Sequence, residues 1–422
     1  MSNMTRPPRD LDYYLGRDLR SERNRAAALF APHKSEPFGQ MVLYGAGRLG
    51  RLLLAGLTEE GVDVVAFSDG DEKLWGGLIE GREVVPPQEA ARRYGRDSTF
   101  LVAIFNSQHN YSQTFEYLCT LGCTRVISCL AAFYRFPKRF LPYWAVDLPY
   151  RLIENANRLK MVYSCLADQE SREEFSRELD WRMDLNFGPS PPRSVREQYF
   201  PDDLIACECE EVYIDCGAYV GDTLSQFLAW SKGRFRRYLA FEPDPRNFSS
   251  LQSLVINLPR SLRRRIEIRC DAISSDFADM RFKEVGDISS RLDESGAVEV
   301  KAIPLDSLQG WLKPTIIKMD IEGGEFDALQ GAREIIRDTM PVLAVCVYHR
   351  PDHFWTIPEL ISRLCPQYRL YLRRYAEVPW ELVCYGVPPH RDRKASNARY
   401  DTGDASKKRE GLGGHAGIHD EG

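Results

Sequence analysis

The segment IIKMDIEGGEFDAL, residues 316–329, concentrates the side chains best suited to chemistry in this 422-residue chain. Two isoleucines lead through Lys318 to Asp320, and Glu322, Gly323, Gly324 and Glu325 then open a helical pattern. An apolar run ending in a carboxylate reads as a β-strand that presents Asp320 at its carboxyl end, the edge where ligands bind in a doubly wound sheet. Asp320 is therefore a candidate proton acceptor, with Glu322 and Glu325 placed to orient hydroxyls. Acids at a helix start also suit the helix dipole without any further role. His349 ends a later apolar run, VLAVCVYH, and is the second candidate for taking a proton; His353 follows it at helical spacing.

A second group of residues reads as a nucleoside site. In VYIDCGAYVGDT (212–223), Asp215 ends a strand and Gly217, Ala218, Tyr219 and Gly221 form a tight turn into a helix. A carboxylate there repels a pyrophosphate and suits a cationic ligand. Glu242 ends the next strand, in LAFEPDP, where a carboxylate grips vicinal ribose hydroxyls. In RIEIRCDAIS, Asp271 can accept from an adenine amino group while Ala272 leaves room for the ring. Ribose, adenine and a positive sulfonium without phosphate describe S-adenosylmethionine, which is the cofactor expected. Tyr219 either packs or covers the methionine part. No metal is expected, because Asp320 and Glu322 lack a clear third ligand.

A third motif competes with this reading. LYGAGRLGRLL carries Gly45, Gly47 and Gly50 in G-x-G-x-x-G spacing, and Asp69 ends the following strand, so a second nucleotide site is conceivable there. The alternative function is a nicotinamide-dependent oxidoreductase or nucleotide-sugar enzyme working from this motif. It needs a catalytic pair nearby, yet FNSQHNYSQ offers His109 and Tyr111 without a partnering lysine. The motif then marks an accessory domain that binds a nucleotide or presents the substrate.

The elements that must position these residues follow from strand and helix alternation. The fold class expected is α/β, with two doubly wound Rossmann-like domains. Residues 1–37 form an arm, 38–145 the accessory Rossmann-like domain and 146–205 a helical connector. In the connector, Ser171 and Glu174 resemble a capping box and GPSPP (188–192) breaks the helical pattern. Residues 206–388 form a class I methyltransferase-type sheet, in which YRLYLRRY and WELVCYGV must pair as a closing antiparallel hairpin; 389–422 read as a disordered tail.

Composition narrows the classes further. A formal net charge of -5 argues against a dedicated nucleic-acid partner. The basic run RSLRRRIEIR (260–269) reads as a solvated face. The 11 cysteines are odd in number and scattered through strand-like runs, as buried hydrophobes are, and the Cys207–Cys209 pair lacks a second half for zinc. No apolar run reaches roughly 18 residues and the N-terminus lacks a signal-peptide core, which predicts no transmembrane segment and a cytoplasmic location. The partner expected is a small-molecule or glycan substrate, with homo-oligomer formation left open.

Together VYIDCGAYVGDT, AFEPDP, IKMDIEGGEFDALQGA and VCVYHRPDHFWTIPELI resemble the FkbM family of S-adenosylmethionine-dependent methyltransferases. The resemblance covers roughly residues 200–388, and LADQESREEF and EQYFPDDLI extend it into the connector. It implies methyl transfer to hydroxyl oxygens of sugars or natural products. It also implies Asp215, Gly217 and Glu242 as cofactor contacts and Asp320, Glu322 and Glu325 as acceptor-side carboxylates.

Overall fold

Short strands buried on both faces read as continuous apolar runs, and such runs set the first sheet. In the computed structural model, which describes residues 9–30, 39–187, 197–208, 210–283, 291–292, 298–310 and 312–394, that sheet is six-stranded. It comprises β1 (Met41–Tyr44), β2 (Val64–Ser68), β3 (Leu78–Ile79), β4 (Arg82–Val85), β5 (Thr99–Val102) and β6 (Val126–Ser128), in the order β3-β4-β2-β1-β5-β6. All pairings are parallel except β3 with β4. That small hairpin does not stand out in the sequence. Its turn places Glu80 (φ 47°) and Gly81 (φ 77°) in the left-handed region, which hairpin turns usually fill with Asn, Asp or Gly.

The remaining strands are β7 (Val212–Cys216), β8 (Arg237–Phe241), β9 (Ile266–Arg269), β10 (Ala272–Ile273), β11 (Ala278–Lys283), β12 (Arg291–Leu292), β13 (Val298–Ile303), β14 (Ile316–Met319), β15 (Val342–Cys346), β16 (Arg369–Arg374) and β17 (Leu382–Val387). Seven of them form one sheet in the order β16-β17-β15-β14-β7-β8-β9. The chain runs outward from β7 to β9 and returns to β14 on the other side of β7, so the switch point lies between β7 and β14. The closing hairpin forms as predicted: Tyr375 N–H donates to the Glu381 carbonyl (3.1 Å) between neighbouring β16 and β17.

RIEIRCDAIS does not make one strand. β9 pairs with β8, whereas β10 pairs with β13 in a separate four-stranded sheet, order β10-β13-β11-β12. Asp271 therefore lies between strands of two sheets.

Contacts divide the chain into two compact units. One contains Met1–Val195, Val345–Leu360 and Tyr371–Cys384; the other contains Arg196–Ala344, Ile361–Leu370 and Tyr385–Gly422. In the first, the arm forms helices Leu11–Leu15 and Leu19–Ala28, capped by Asp10 and Asp18. Helix Gln169–Asp184 is capped by Asp168, which accepts the Ser171 N–H (3.0 Å). Ser171 is thus not the cap the S-x-x-E pattern suggests. Its hydroxyl instead accepts from the Leu372 N–H (2.9 Å) and the Arg373 guanidinium (3.0 Å).

The same helix carries a buried charge network. Arg374 donates to Glu174 (3.0 Å) and to Glu178, and Arg182 donates to Glu178 (2.9 Å), all four side chains being almost wholly buried. Burial alone would lower the pKa of Arg374, but Glu178 and Glu174 raise it above the ordinary arginine value. In the second unit, Arg391 is paired with Glu211 (2.7 Å) and Asp392 with Arg369 (3.0 Å), so the chain just past residue 388 is held rather than disordered. The expectations for residues 188–192 and 395–422 fall outside the described residues.

Removing one member of a buried network leaves its partners charged and unpaired. Arg374→Met is expected to cost about 3–5 kcal/mol, read as a lowered urea midpoint. An unchanged midpoint would show that the network contributes nothing to stability.

Candidate active site

The parallel register of β7 and β14 sets Lys318 opposite Asp215. Lys318 Nζ lies 3.0 Å from Asp215 Oδ1 and donates to the Gly217 carbonyl at 2.5 Å. Tyr238, on β8, donates to the other Asp215 oxygen at 2.5 Å. Asp215 is fully buried and Lys318 nearly so. Burial alone would lower a lysine pKa, but Asp215 and the nearby Asp320 raise it above the ordinary value and keep the ammonium charged. The carboxylate read from the sequence as a direct ligand contact is thus engaged beneath the glycine turn.

The turn needs its glycines for space as well as conformation. Gly217 has φ 80°, and a Cβ there would sit 1.8 Å from the Asp320 carbonyl oxygen. Gly221 has φ 95°, and a Cβ would meet Leu254 at 2.4 Å. Between them Ala218 is buried, while Tyr219 adopts φ 47° and stays 40% exposed. The following helix, Asp222–Trp230, has no side-chain cap.

Glu242 closes the turn from the end of β8. Its two carboxylate oxygens accept the N–H groups of Tyr219 (2.7 Å) and Asp244 (3.0 Å). Burial dominates these bonds and pushes the carboxyl up to about 7. Asp271 pairs with Arg269 (2.9 Å), and Ala272 is buried at the start of β10.

The three carboxylates after β14 differ in role. Asp320 is half-buried and its Oδ2 accepts the Tyr199 hydroxyl at 2.7 Å. Glu325 is fully buried, and its Oε1 holds the loop by accepting the N–H groups of Ile321 (2.9 Å) and Gly323 (3.4 Å). Glu322 sits in that loop at φ 56°. His349 belongs to the other unit, where it is buried with its ring 4.2 Å from that of Tyr348.

Tyr199 is the residue that sequence reasoning missed. It is buried at φ 68°, its N–H is held by the Tyr385 hydroxyl (3.0 Å), and Lys318 Nζ lies 5.1 Å from its ring centre. Its only sequence signal is a place in EQYFPDDLI.

The N-terminal glycine motif is largely explained by packing. A Cβ at Gly45 would meet Ile104 at 2.7 Å, and one at Gly50 would meet the Gly45 carbonyl at 2.1 Å, whereas one at Gly47 would face open space. Asp69 accepts the N–H groups of Ala46 (2.7 Å) and Asp71 (2.8 Å), so it closes the turn itself. His109 pairs with Thr114 (2.8 Å).

Comparison with known proteins gives a family-model match over part of the chain. Residues 215–377 match the model of the methyltransferase FkbM domain. The match covers less than half of the 422-residue chain. The solved structure of methyltransferase FkbM from Methylobacillus flagellatus KT superposes with a TM-score of 0.69 at 22% identity, over 87% of this chain and 99% of that one, which shows a shared α/β fold. UDP-D-quinovosamine 4-dehydrogenase from Vibrio fischeri aligns over 22% of this chain and 78% of its own at 26% identity, with a TM-score of 0.19. An rRNA methylase from Streptococcus thermophilus aligns over 44% and 90% at 14% identity, with a TM-score of 0.29. Neither carries weight at such scores. No curated protein matches the chain.

The Glu242 carboxyl gives a stability prediction. Its folded pKa lies above its ordinary value of 4.5, so the folded chain binds a proton more tightly than the unfolded one between 4.5 and about 7. Stability should therefore fall as pH rises through that window, by about 3 kcal/mol at most. Urea denaturation of the wild type against Glu242→Gln checks it: the variant should lose this part of the slope, and an identical slope would refute the assignment.

Proposed function

We propose that the FkbM domain catalyses S-adenosylmethionine-dependent methyl transfer to a hydroxyl oxygen of a sugar, glycan or natural product. The observation that carries the reading is Glu242, a buried carboxylate joined to the glycine turn at the sheet edge where α/β folds bind ligands. The residues present fit the cofactor. Glu242 would accept the ribose hydroxyls, the backbone of Gly217, Ala218 and Tyr219 would face the methionine part, and Asp271 with Ala272 would frame the adenine. The exposed Tyr219 ring is free to cover the methionine part. When bound, the cofactor supplies an electrophilic methyl group on a sulfonium.

The chain's own residues supply alignment and proton removal. Holding the acceptor oxygen in line at short range is the largest contribution such a site makes. The acceptor hydroxyl must also lose a proton, and Asp320 is the half-buried carboxylate at the switch point that can take it. The Tyr199 hydroxyl holds Asp320, and Glu322, in the loop that follows, is assigned the orienting of an acceptor hydroxyl. Glu325 serves the same reading indirectly, by holding the loop between Asp320 and the next helix. The nicotinamide alternative has less support, because FNSQHNYSQ offers His109 and Tyr111 without a partnering lysine.

Asp320→Asn is the test of the proton acceptor. Methyl transfer should fall by roughly 10²–10⁴-fold, while affinity for S-adenosylhomocysteine changes little. Retained turnover would remove Asp320 from the mechanism.

A further inference from the structure

We infer that the amino edge of β8 and β9, opposite the proposed cofactor edge, is a docking surface for an anionic lipid bilayer. Two basic stretches converge there: SKGRFRR, residues 231–237, which runs into β8, and RSLRRR, residues 260–265, just before β9. Their juxtaposition is fixed. The Arg265 guanidinium donates to the carbonyls of Phe235 (2.6 Å) and Gly233 (3.0 Å), and Leu262 packs 3.3 Å from where a Gly233 Cβ would lie.

Cations outnumber acids on this face among the described residues, where exposed Glu210 lies next to Glu211, whose carbonyl accepts the Arg236 and Arg237 N–H groups. Lys232, Arg234, Arg236, Arg260 and Arg264 are exposed, and among the described residues none of them pairs with a carboxylate. Arg237 is neutralised by Glu267 (2.9 Å), and the nearby Glu208 is paired with Arg391 (3.1 Å). Five free cations on one face of a chain with net charge -5 mark a local field for an anionic partner.

Two further features select a lipid surface. Ile256 is 57% exposed, and its carbonyl accepts from Arg263 (3.0 Å), so an apolar side chain stands among the arginines. That combination suits a headgroup and acyl boundary. Beside it, a cavity of about 250 Å³ is lined by Cys207, Glu208, Trp230, Ser231, Lys232 and Arg234, its one carboxylate being the Glu208 already paired with Arg391. The Ser231 hydroxyl there is buried without a hydrogen-bond partner, a donor suited to a phosphate oxygen. A single-stranded nucleic acid would instead want exposed aromatic rings for stacking. The aromatics on this face are engaged: Phe235 is buried under Arg265, and Trp230 is packed on Phe200 with ring centres 5.0 Å apart.

The test is co-sedimentation of the full chain with vesicles of equimolar phosphatidylcholine and phosphatidylglycerol, against phosphatidylcholine alone. Binding to the anionic vesicles only is expected, with loss in high salt. At about fivefold per cation, the triple variant Arg234→Glu, Arg260→Glu, Arg264→Glu should bind at least on the order of a hundredfold more weakly. Ile256→Ser, which keeps every charge, should weaken binding severalfold. Absence of sedimentation with anionic vesicles, or equal sedimentation of the triple variant with an unchanged melting temperature, would overturn the inference. Retention of a single-stranded oligonucleotide in a gel-shift assay without vesicle binding would overturn it in favour of a nucleic acid.

Discussion

The buried pair of Lys318 and Asp215 is the interaction on which the candidate site depends. It forms because β7 and β14 pair in a register that sets the two side chains opposite each other. One ammonium then serves three acceptors: the Asp215 carboxylate, the Gly217 carbonyl and, at longer range, the field of Asp320. Such a pair is weak evidence for stability, because two ions leave water to make it. What it does supply is position. The glycine turn is anchored from below, and a backbone so fixed can meet a ligand without reorganising.

A shared device closes both glycine turns in the chain. In the seven-stranded sheet Glu242, and in the N-terminal sheet Asp69, end the strand following the turn and accept a backbone N–H from within it. Each carboxylate does structural work before any ligand arrives. The environments differ in that burial pushes the Glu242 carboxyl up to about 7.

Much of this arrangement could be read from the residues. Alternating apolar runs gave the strands, and the short link between YRLYLRRY and WELVCYGV forced the hairpin. Asp320 at a strand end followed from the pattern around it. Other features were hidden for physical reasons. RIEIRCDAIS contains no glycine or proline at Cys270 and Asp271, so nothing local announces that it divides between two sheets. Ser171 has the residue type of a helix cap, but tertiary structure uses its hydroxyl for Leu372 and Arg373 and leaves capping to Asp168. Tyr199 reaches Asp320 only through a left-handed backbone that a tyrosine rarely adopts, which no propensity would suggest. In the G-x-G-x-x-G motif the spacing alone could not tell a nucleotide turn from helix–strand packing, and the structure shows tight packing at Gly45 and Gly50.

The most direct measurement is a calorimetric titration of the full chain with S-adenosylhomocysteine and, separately, with NAD. The account predicts saturable binding of S-adenosylhomocysteine that is lost when Gly221 is replaced by Val, a side chain that would have to fill the turn. Binding of NAD with no binding of S-adenosylhomocysteine would contradict it.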